Sequence, residues 1–343
     1  VQVCSYITPH IPQKNNNLQA FSLVSNDQET LQNCTSGGAA YELAKIALKQ
    51  GYKVCGVRYN YQKNRAEHYA VNNLDELSQT KGSKYIQSKT IPGFSALEQD
   101  NKWLVFGTPC QIDSLRKWLK ITNREENFIL VDFFCHGVPS YLLWNNYLAS
   151  CQRKINPITQ LAFRDKKHGW HAKTIMMKND HKTIYNRMIQ MDMFFCFYFS
   201  DVCLNSCCYN CKYKSDRSSA DIRLGDFWGE KFKTDHQGVS AMLAYNQKGL
   251  EFVDILSNSC SVSRASPEQI FFGQMINPPR RPKIREKVLR DFGNQTHIKK
   301  IFTYAVLPKL LFIMIPRQLI IANPLTSSLV TLAKKIRARF NTN

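Results

Sequence analysis

The sequence predicts an α/β protein: a mixed, partly parallel sheet with helices on its faces, followed by a helical, basic C-terminal tail. Two strand–turn units predict the parallel part. The apolar run Trp103-Leu104-Val105-Phe106 ends in Gly107-Thr108-Pro109, and Cys110 then opens a helix-like segment, Gln111 to Leu119. Phe128-Ile129-Leu130-Val131-Asp132-Phe133-Phe134 reads as a buried strand ending in Cys135-His136-Gly137. If these strands are parallel neighbours, both thiols emerge at one carboxyl edge, where α/β proteins build their sites. A helix before strands is the third signal: Ala39 to Gln50 stops at Gly51, and Val54 to Tyr59 and Glu67 to Val71 follow.

Taken in order, residues 1–30 are polar, with Pro9, Pro12 and Asn15-Asn16-Asn17, and read as a linker. Thr35-Ser36-Gly37-Gly38 precedes the first helix. Outward N–H groups and the helix dipole make such a turn an anion cradle, although a plain capped helix has the same sequence. Lys81 to Ser88 is a polar loop with two lysines, which reads either as a phosphate holder or as a solvated turn. Tyr141 to Cys151 reads as a helix, Phe163-Arg164-Asp165-Lys166-Lys167-His168-Gly169-Trp170 as a charged loop, and Thr174 to Tyr185 as a hairpin turning at Asn179-Asp180. Met191 to Phe199 is an aromatic run suited to the core or to a cofactor wall, and Asp226, between apolar residues, must find a partner if buried. No GxGxxG follows a strand and no P-loop is present.

Length and composition bound the rest. A chain of 343 residues suggests about two domains. Of the twelve cysteines, Cys208-Tyr209-Asn210-Cys211 supplies a C-x-x-C that, with Cys110 and Cys135, completes a four-thiolate set. Singly, each cysteine reads as a small buried residue; together they read as a metal site. Cys207 is a substitute ligand, and Cys34, Cys55, Cys151, Cys196, Cys203 and Cys260 read as structural. The net charge is +20, yet from Arg280 onward fourteen Lys and Arg face only Glu286 and Asp291, so +12 of it lies in the tail. A nucleic-acid binder would spread that charge, and nucleic acid is not an expected partner. Ala305 to Ala322 is apolar but broken by Pro308, Lys309, Pro316 and Arg317. With Leu332 to Phe340 behind it, the tail reads as an interfacial basic segment or as a helical cap with a solvated face. The former implies a cytoplasmic protein, peripheral at an anionic inner membrane face.

The motifs Thr35–Gly38, Gly82–Ser88, Phe106–Gln111, Cys135–Ser140, Phe163–Asp165, Cys208–Cys211 and Leu224-Gly225-Asp226-Phe227-Trp228-Gly229 occur in that order. This resembles the coenzyme F420 hydrogenase/dehydrogenase beta-subunit family, whose members also occur in bacterial polysaccharide biosynthesis. The resemblance spans roughly residues 30 to 250. It implies FAD beside a 4Fe–4S cluster, with Cys110, Cys135, Cys208 and Cys211 as cluster ligands. Thr35, Ser36, Gly37, Gly38, Gly82, Ser83, Lys84, Tyr85, Gln87 and Ser88 are then candidates for holding the flavin. Arg164 and Asp226 are candidate catalytic residues, or else either is half of a buried structural ion pair. The implied partner is a ferredoxin-like module or another electron-transfer protein. Val1–Ser5 then read as the remnant of such a module, with Cys4 as its last ligand and Ser5 where a proline is expected, or Cys4 is a terminal residue without a role. Residues 31–265 form the oxidoreductase domain in this reading and 266–343 the basic helical region. The expected function is electron transfer between a hydride-carrying deazaflavin-type coenzyme, or another substrate, and iron–sulfur centres. The alternative is a non-redox protein in which the same four cysteines hold zinc and which assists glycan assembly at the membrane, since four-cysteine zinc and 4Fe–4S use the same ligands.

Overall fold

A computed structural model describes residues 2–8, 18–97, 101–152, 157–180 and 182–314. Twelve strands are described: β1 (Gln19–Ser25), β2 (Lys53–Asn60), β3 (Arg65–Val71), β4 (Ser88–Lys89), β5 (Trp103–Phe106), β6 (Phe128–Phe133), β7 (Gln160–Asp165), β8 (Thr174–Asn179), β9 (Lys182–Met188), β10 (Ile222–Asp226), β11 (Ser240–Ala244) and β12 (Cys260–Ala265). Nine form one sheet in the order β12-β1-β11-β10-β6-β5-β2-β3-β4, and β7-β8-β9 form a second.

The middle of the large sheet is parallel, as the two strand–turn units predict. β5 pairs with β6 from Trp103↔Phe128 to Phe106↔Val131, β2 flanks β5 and β10 flanks β6, all parallel. Side chains alternate faces along each strand. Leu104, Ile129 and Val131 pack under Leu43 and Leu256, while Val105, Phe128 and Leu130 pack under Ile112, Leu115 and Leu119. Both faces are therefore covered, which is why these strands read as continuous apolar runs. The one charge in them, Asp132, is fully buried and meets Arg223 directly across the β6–β10 ladder, Nε to Oδ1 at 2.7 Å and Nη2 to Oδ2 at 2.7 Å.

One boundary is corrected. The linker expected over residues 1–30 contains β1, which lies between β12 and β11 inside the large sheet. Ala20, Phe21 and Leu23 are buried, and their short apolar run is obscured by the asparagines that precede it. Residues 2–8 also pack against the protein: the Ser5 hydroxyl, buried, donates to the Cys110 carbonyl at 2.6 Å and to Asp113 Oδ2 at 2.9 Å.

A helix Gln28–Asn33 precedes the first expected helix, which runs Ala39–Lys49; the crossover helix is Pro109–Ile121 and the third expected helix Tyr141–Gln152. Phe163, Arg164 and Asp165, expected in a loop, end β7 instead. A register shift between Ala162 and Asp165 lets both Phe163 and Arg164 be buried. The hairpin turns at Asn179-Asp180 as expected, with Asp180 at φ +43°. The aromatic run forms the helix Met193–Phe199, in a core with Trp144, Tyr147 and Phe163. Helices Arg285–Gly293, Ile298–Ala305 and Leu307–Met314 extend this core through Val288, Phe292 and Ile301. Among the described residues no helix is long and apolar enough to cross a membrane. The tail segment 315–343, including Leu332 to Phe340, lies outside the described residues.

Candidate functional site

The carboxyl ends of β5, β6 and β10 deliver Cys110, Cys135 and Asp226 to one edge of the sheet. β1 runs antiparallel to β11, which is antiparallel to β10, so Ser25 and the Thr35–Gly38 turn reach the same edge. Cys110 lies in the first turn of Pro109–Ile121, behind a capping box in which Thr108 N–H donates to Gln111 Oε1 at 2.9 Å. The Thr108 hydroxyl stands 3.2 Å from Cys110 Sγ.

Cys208 and Cys211 reach this edge through a short 3-10 helix, Ser206–Asn210, tied to the Cys135 loop by the bridge Pro139↔Leu204. Val138 N–H points at Cys208 Sγ, 3.4 Å away, and Gly137, at φ +155°, has no room for a side chain against Leu204. The buried Lys214 ammonium clamps the same loop, donating to the carbonyls of Cys135 at 2.5 Å and His136 at 2.8 Å. The thiols feel one another: Cys110 senses Cys211 and Cys207, Cys135 senses Cys110 and Cys211, and Cys208 senses Cys207 and Cys135.

The helix start does not make Cys110 acidic. Burial pushes its thiol up, against hydrogen bonds from Thr108 and Tyr6, and burial pushes Cys135 up to about 12 despite the Lys214 charge. A hydrogen bond between the neighbours Cys207 and Cys208 makes Cys207 the more acidic of the two. Cys207 therefore belongs to this cluster, and Tyr6, whose hydroxyl partners Cys110 and Cys207, stands at its mouth. Among the described residues, no three His, Cys, Asp or Glu side chains are close enough to hold a single metal ion. An all-sulfur set, Cys208 buried and the others half-buried, nevertheless suits a soft metal centre, because a cationic centre offsets the cost of forming thiolates there.

The second half of the edge is cationic. Ser83 N–H donates to Thr35 Oγ1 at 2.9 Å, so the two expected flavin segments touch. Ser36 Oγ donates to Val239 O at 2.8 Å, and Gly38 caps the helix Ala39–Lys49 at φ +83°. Gly37 has a packing reason: a Cβ there would stand 2.3 Å from Leu23 O and 2.6 Å from Ser240 N. Gly82, at φ +80°, is in open space. Lys84 turns inward, its ammonium donating to the carbonyls of Gln79, Thr80 and Lys81, and burial lowers it to about 7. The cation facing the cradle is Lys166, which donates to Leu31 O, Ser36 O and Gln237 O, with Lys81 nearby over the Tyr41 ring.

The rest of the 81–88 loop spans the gap to the thiols. Tyr85 packs edge-on against Phe195 and Tyr198, Gln87 Oε1 accepts from Asn205 Nδ2 at 3.0 Å, and Gln111 Nε2 donates to Ser88 Oγ at 3.1 Å.

Arg164 and Asp226 are joined, Nη1 to Oδ2 at 2.6 Å, and Trp170 Nε1 donates to Asp226 Oδ1 at 3.0 Å. Trp170 stacks on Trp228 with centroids 4.9 Å apart, and Lys173 Nζ lies 4.0 Å from the Trp228 centroid. Burial, with the Arg164 charge acting in the same direction, lowers Lys166 and Lys173 to about 8 each. Sequence reasoning missed Lys166, Lys173 and Lys214 as site residues. The first lies in the charged segment it marked at 163–170, which is the only signal it had for any of them.

Residues 100–268 match the family described as the C terminus of the coenzyme F420 hydrogenase/dehydrogenase beta subunit. No curated protein matches the chain. Among solved structures, a chain of the F420-reducing NiFe hydrogenase complex from Methanosarcina barkeri is similar, with a TM-score of 0.49 and 15% identity, covering 83% of this chain and 91% of that one. Residues 100–268 are thus the part of the chain that resembles the coenzyme F420 hydrogenase/dehydrogenase beta-subunit family.

Proposed function

We propose that the chain is a flavin- and iron–sulfur-bearing oxidoreductase subunit that passes electrons between a hydride-carrying ligand of the deazaflavin class and iron–sulfur centres. One observation carries this reading: an all-thiol cluster and a cationic cradle share one sheet edge and are joined by the 81–88 loop. Cys110, Cys135, Cys208 and Cys211 are the proposed cluster ligands, with Cys207 adjacent. Four thiolates suit a 4Fe–4S cluster and tetrahedral zinc alike, and metal and labile-sulfide analysis separates the two.

Thr35, Ser36, Gly38 and Ser83 supply hydroxyl and N–H groups for the flavin pyrophosphate, with Lys81 as a nearby cation and Lys166 fixing the turn. A bound flavin would supply the conversion between two-electron and one-electron transfer. Tyr85 and Ser88 line the way between the two halves. Lys214 holds the Cys135 loop, and Asp226 orients Arg164 at the edge.

The test is cofactor content in variants that spare the core. Lys81→Gln and Thr35→Val should lower flavin content of the anaerobically purified chain while leaving iron in place. Cys135→Ser should do the reverse. Unchanged flavin in both of the first variants would remove the cradle from the proposal.

A further inference from the structure

The guanidinium of Arg164 is only half used. Its side chain is 3% exposed. Nη1 is spent on Asp226, but among the described residues Nε and Nη2 have no hydrogen-bond partner. These two nitrogens form the parallel pair of donors along one edge of the fork, the edge that matches the two oxygens of a carboxylate or phosphate. The protein fills that edge elsewhere. Arg223 gives it to Asp132, Arg58 and Arg65 each give it to Glu67, and Arg285 gives it to the Leu204 carbonyl. A buried donor edge without an acceptor is costly to keep, and native proteins keep few.

The surroundings are short of negative charge. Lys173 and Lys166 both approach Arg164, and the carboxylate beside them, Asp226, has Oδ2 on Arg164 and Oδ1 on Trp170; Asp235 faces Lys166, with Oδ1 accepting from the N–H groups of Gln237 and Gly238. The Tyr85 hydroxyl also approaches Arg164, but burial pushes its pKa up and keeps it neutral. The Lys173 ammonium has the Trp228 ring beneath it and makes no hydrogen bond or ion pair among the described residues, although its backbone carbonyl accepts from Ile189 N–H at 3.0 Å. Its backbone sits at φ +29°, a conformation rare for a side-chain-bearing residue and one that places it ahead of β8 beside Arg164. Trp228 also faces the Arg164 guanidinium at 5.2 Å, so one ring holds both cations without neutralising either.

We propose that the Nε/Nη2 edge of Arg164, together with the Lys173 ammonium, is a seat for a two-oxygen anionic group, a carboxylate or a phosphate. That this group belongs to a redox ligand rests on the function proposed above; the seat itself does not. The shared chemistry has two sources, the flavin pyrophosphate or an acidic group of the second ligand.

Inorganic phosphate, and separately acetate, titrated into the full chain would test it, with the Arg164 Nε–H nuclear resonance as readout wherever Arg164 is present and titration calorimetry giving the affinity of wild type and every variant. The titration is run on the chain as purified and again after flavin is stripped. The seat predicts a saturable shift of that resonance. It also predicts phosphate affinity about tenfold or more weaker in Arg164→Gln and Arg164→Lys, the lysine lacking the fork. Lys173→Met should weaken affinity by a smaller factor with its thermal midpoint retained. A shift in the flavin-loaded chain assigns the seat to the second ligand, and a shift only after stripping assigns it to the flavin phosphate; both uphold the seat. A chain that never carries flavin would refute the redox reading and leave the titration valid. Phosphate affinity equal in wild type, Arg164→Lys and Lys173→Met, or an unmoved Nε–H resonance in both forms, would overturn the proposal.

Discussion

Replacing Gly37 by alanine should destabilise the protein by about 3–5 kcal/mol. The added methyl would stand 2.3 Å from Leu23 O and 2.6 Å from Ser240 N, both backbone atoms, on strands that pair at Leu23↔Ser240. Neither can rotate away, so the turn or the β1–β11 ladder must move by about 1 Å to restore contacts near 3.4 Å. Overpacking of this kind costs about 1–3 kcal/mol. The shift also strains the Ser25 N–H to Gly37 O bond of 2.7 Å and the Ser36 Oγ to Val239 O bond of 2.8 Å, each worth about 1 kcal/mol. Urea unfolding followed by circular dichroism reads the change as a lower midpoint at constant slope. Gly82→Ala is the control: its Cβ meets nothing within 4 Å, and only the φ of +80° costs energy, about 1 kcal/mol. A Gly37→Ala protein within 1 kcal/mol of wild type would refute the packing argument. A bulky residue at Gly37 would break the turn on which the proposed flavin cradle is built.

Asp132→Asn should cost about 3–5 kcal/mol, because it leaves the fully buried Arg223 without its counter-charge, whereas Glu230→Gln, in the exposed pair with Lys233, should leave the midpoint unchanged. His68 is buried with Nε2 2.9 Å from Phe106 O, and burial lowers it from 6.5 to about 4. The unfolded chain therefore binds a proton that the folded chain refuses, and stability complete above pH 6.5 is lost as pH falls towards 4, by up to about 3 kcal/mol. His68→Gln should flatten that part of the pH profile of urea midpoints, and an unchanged slope would exclude His68 as its source. Cys135→Ser should lose iron while Cys196→Ser, a buried thiol in the aromatic core, retains it; equal iron content in both would remove Cys135 as a ligand.

Much of the edge was readable because its signals are local. An apolar run, a Gly-Thr-Pro turn and a cysteine at the helix start fix strand, turn and helix within about ten residues, and parallel pairing of β5 with β6 follows from the short crossover. What escaped depends on distant partners. β1 gains its place only from β11 and β12, more than two hundred residues away, so its short pattern lacked context. Lys84 and Lys166 look alike in sequence, yet one is consumed by three carbonyls of its own loop and the other ties Leu31, Ser36 and Gln237 together. Arg164 and Asp226 could be marked as unusual charges, but their pairing joins the small sheet to the large one across sixty-two positions. Gly37 was noticed as a cradle glycine, whereas the atoms that require it lie on β1 and β11.

The most direct measurement is a metal, sulfide and flavin analysis of the chain purified without oxygen, with its visible spectrum. The account predicts about four iron atoms and about four acid-labile sulfides per chain. Flavin absorbance should accompany broad iron–sulfur absorbance in the same sample. One zinc per chain without labile sulfide would contradict the cluster, and iron–sulfur absorbance without any flavin would contradict the shared edge as an electron-transfer site.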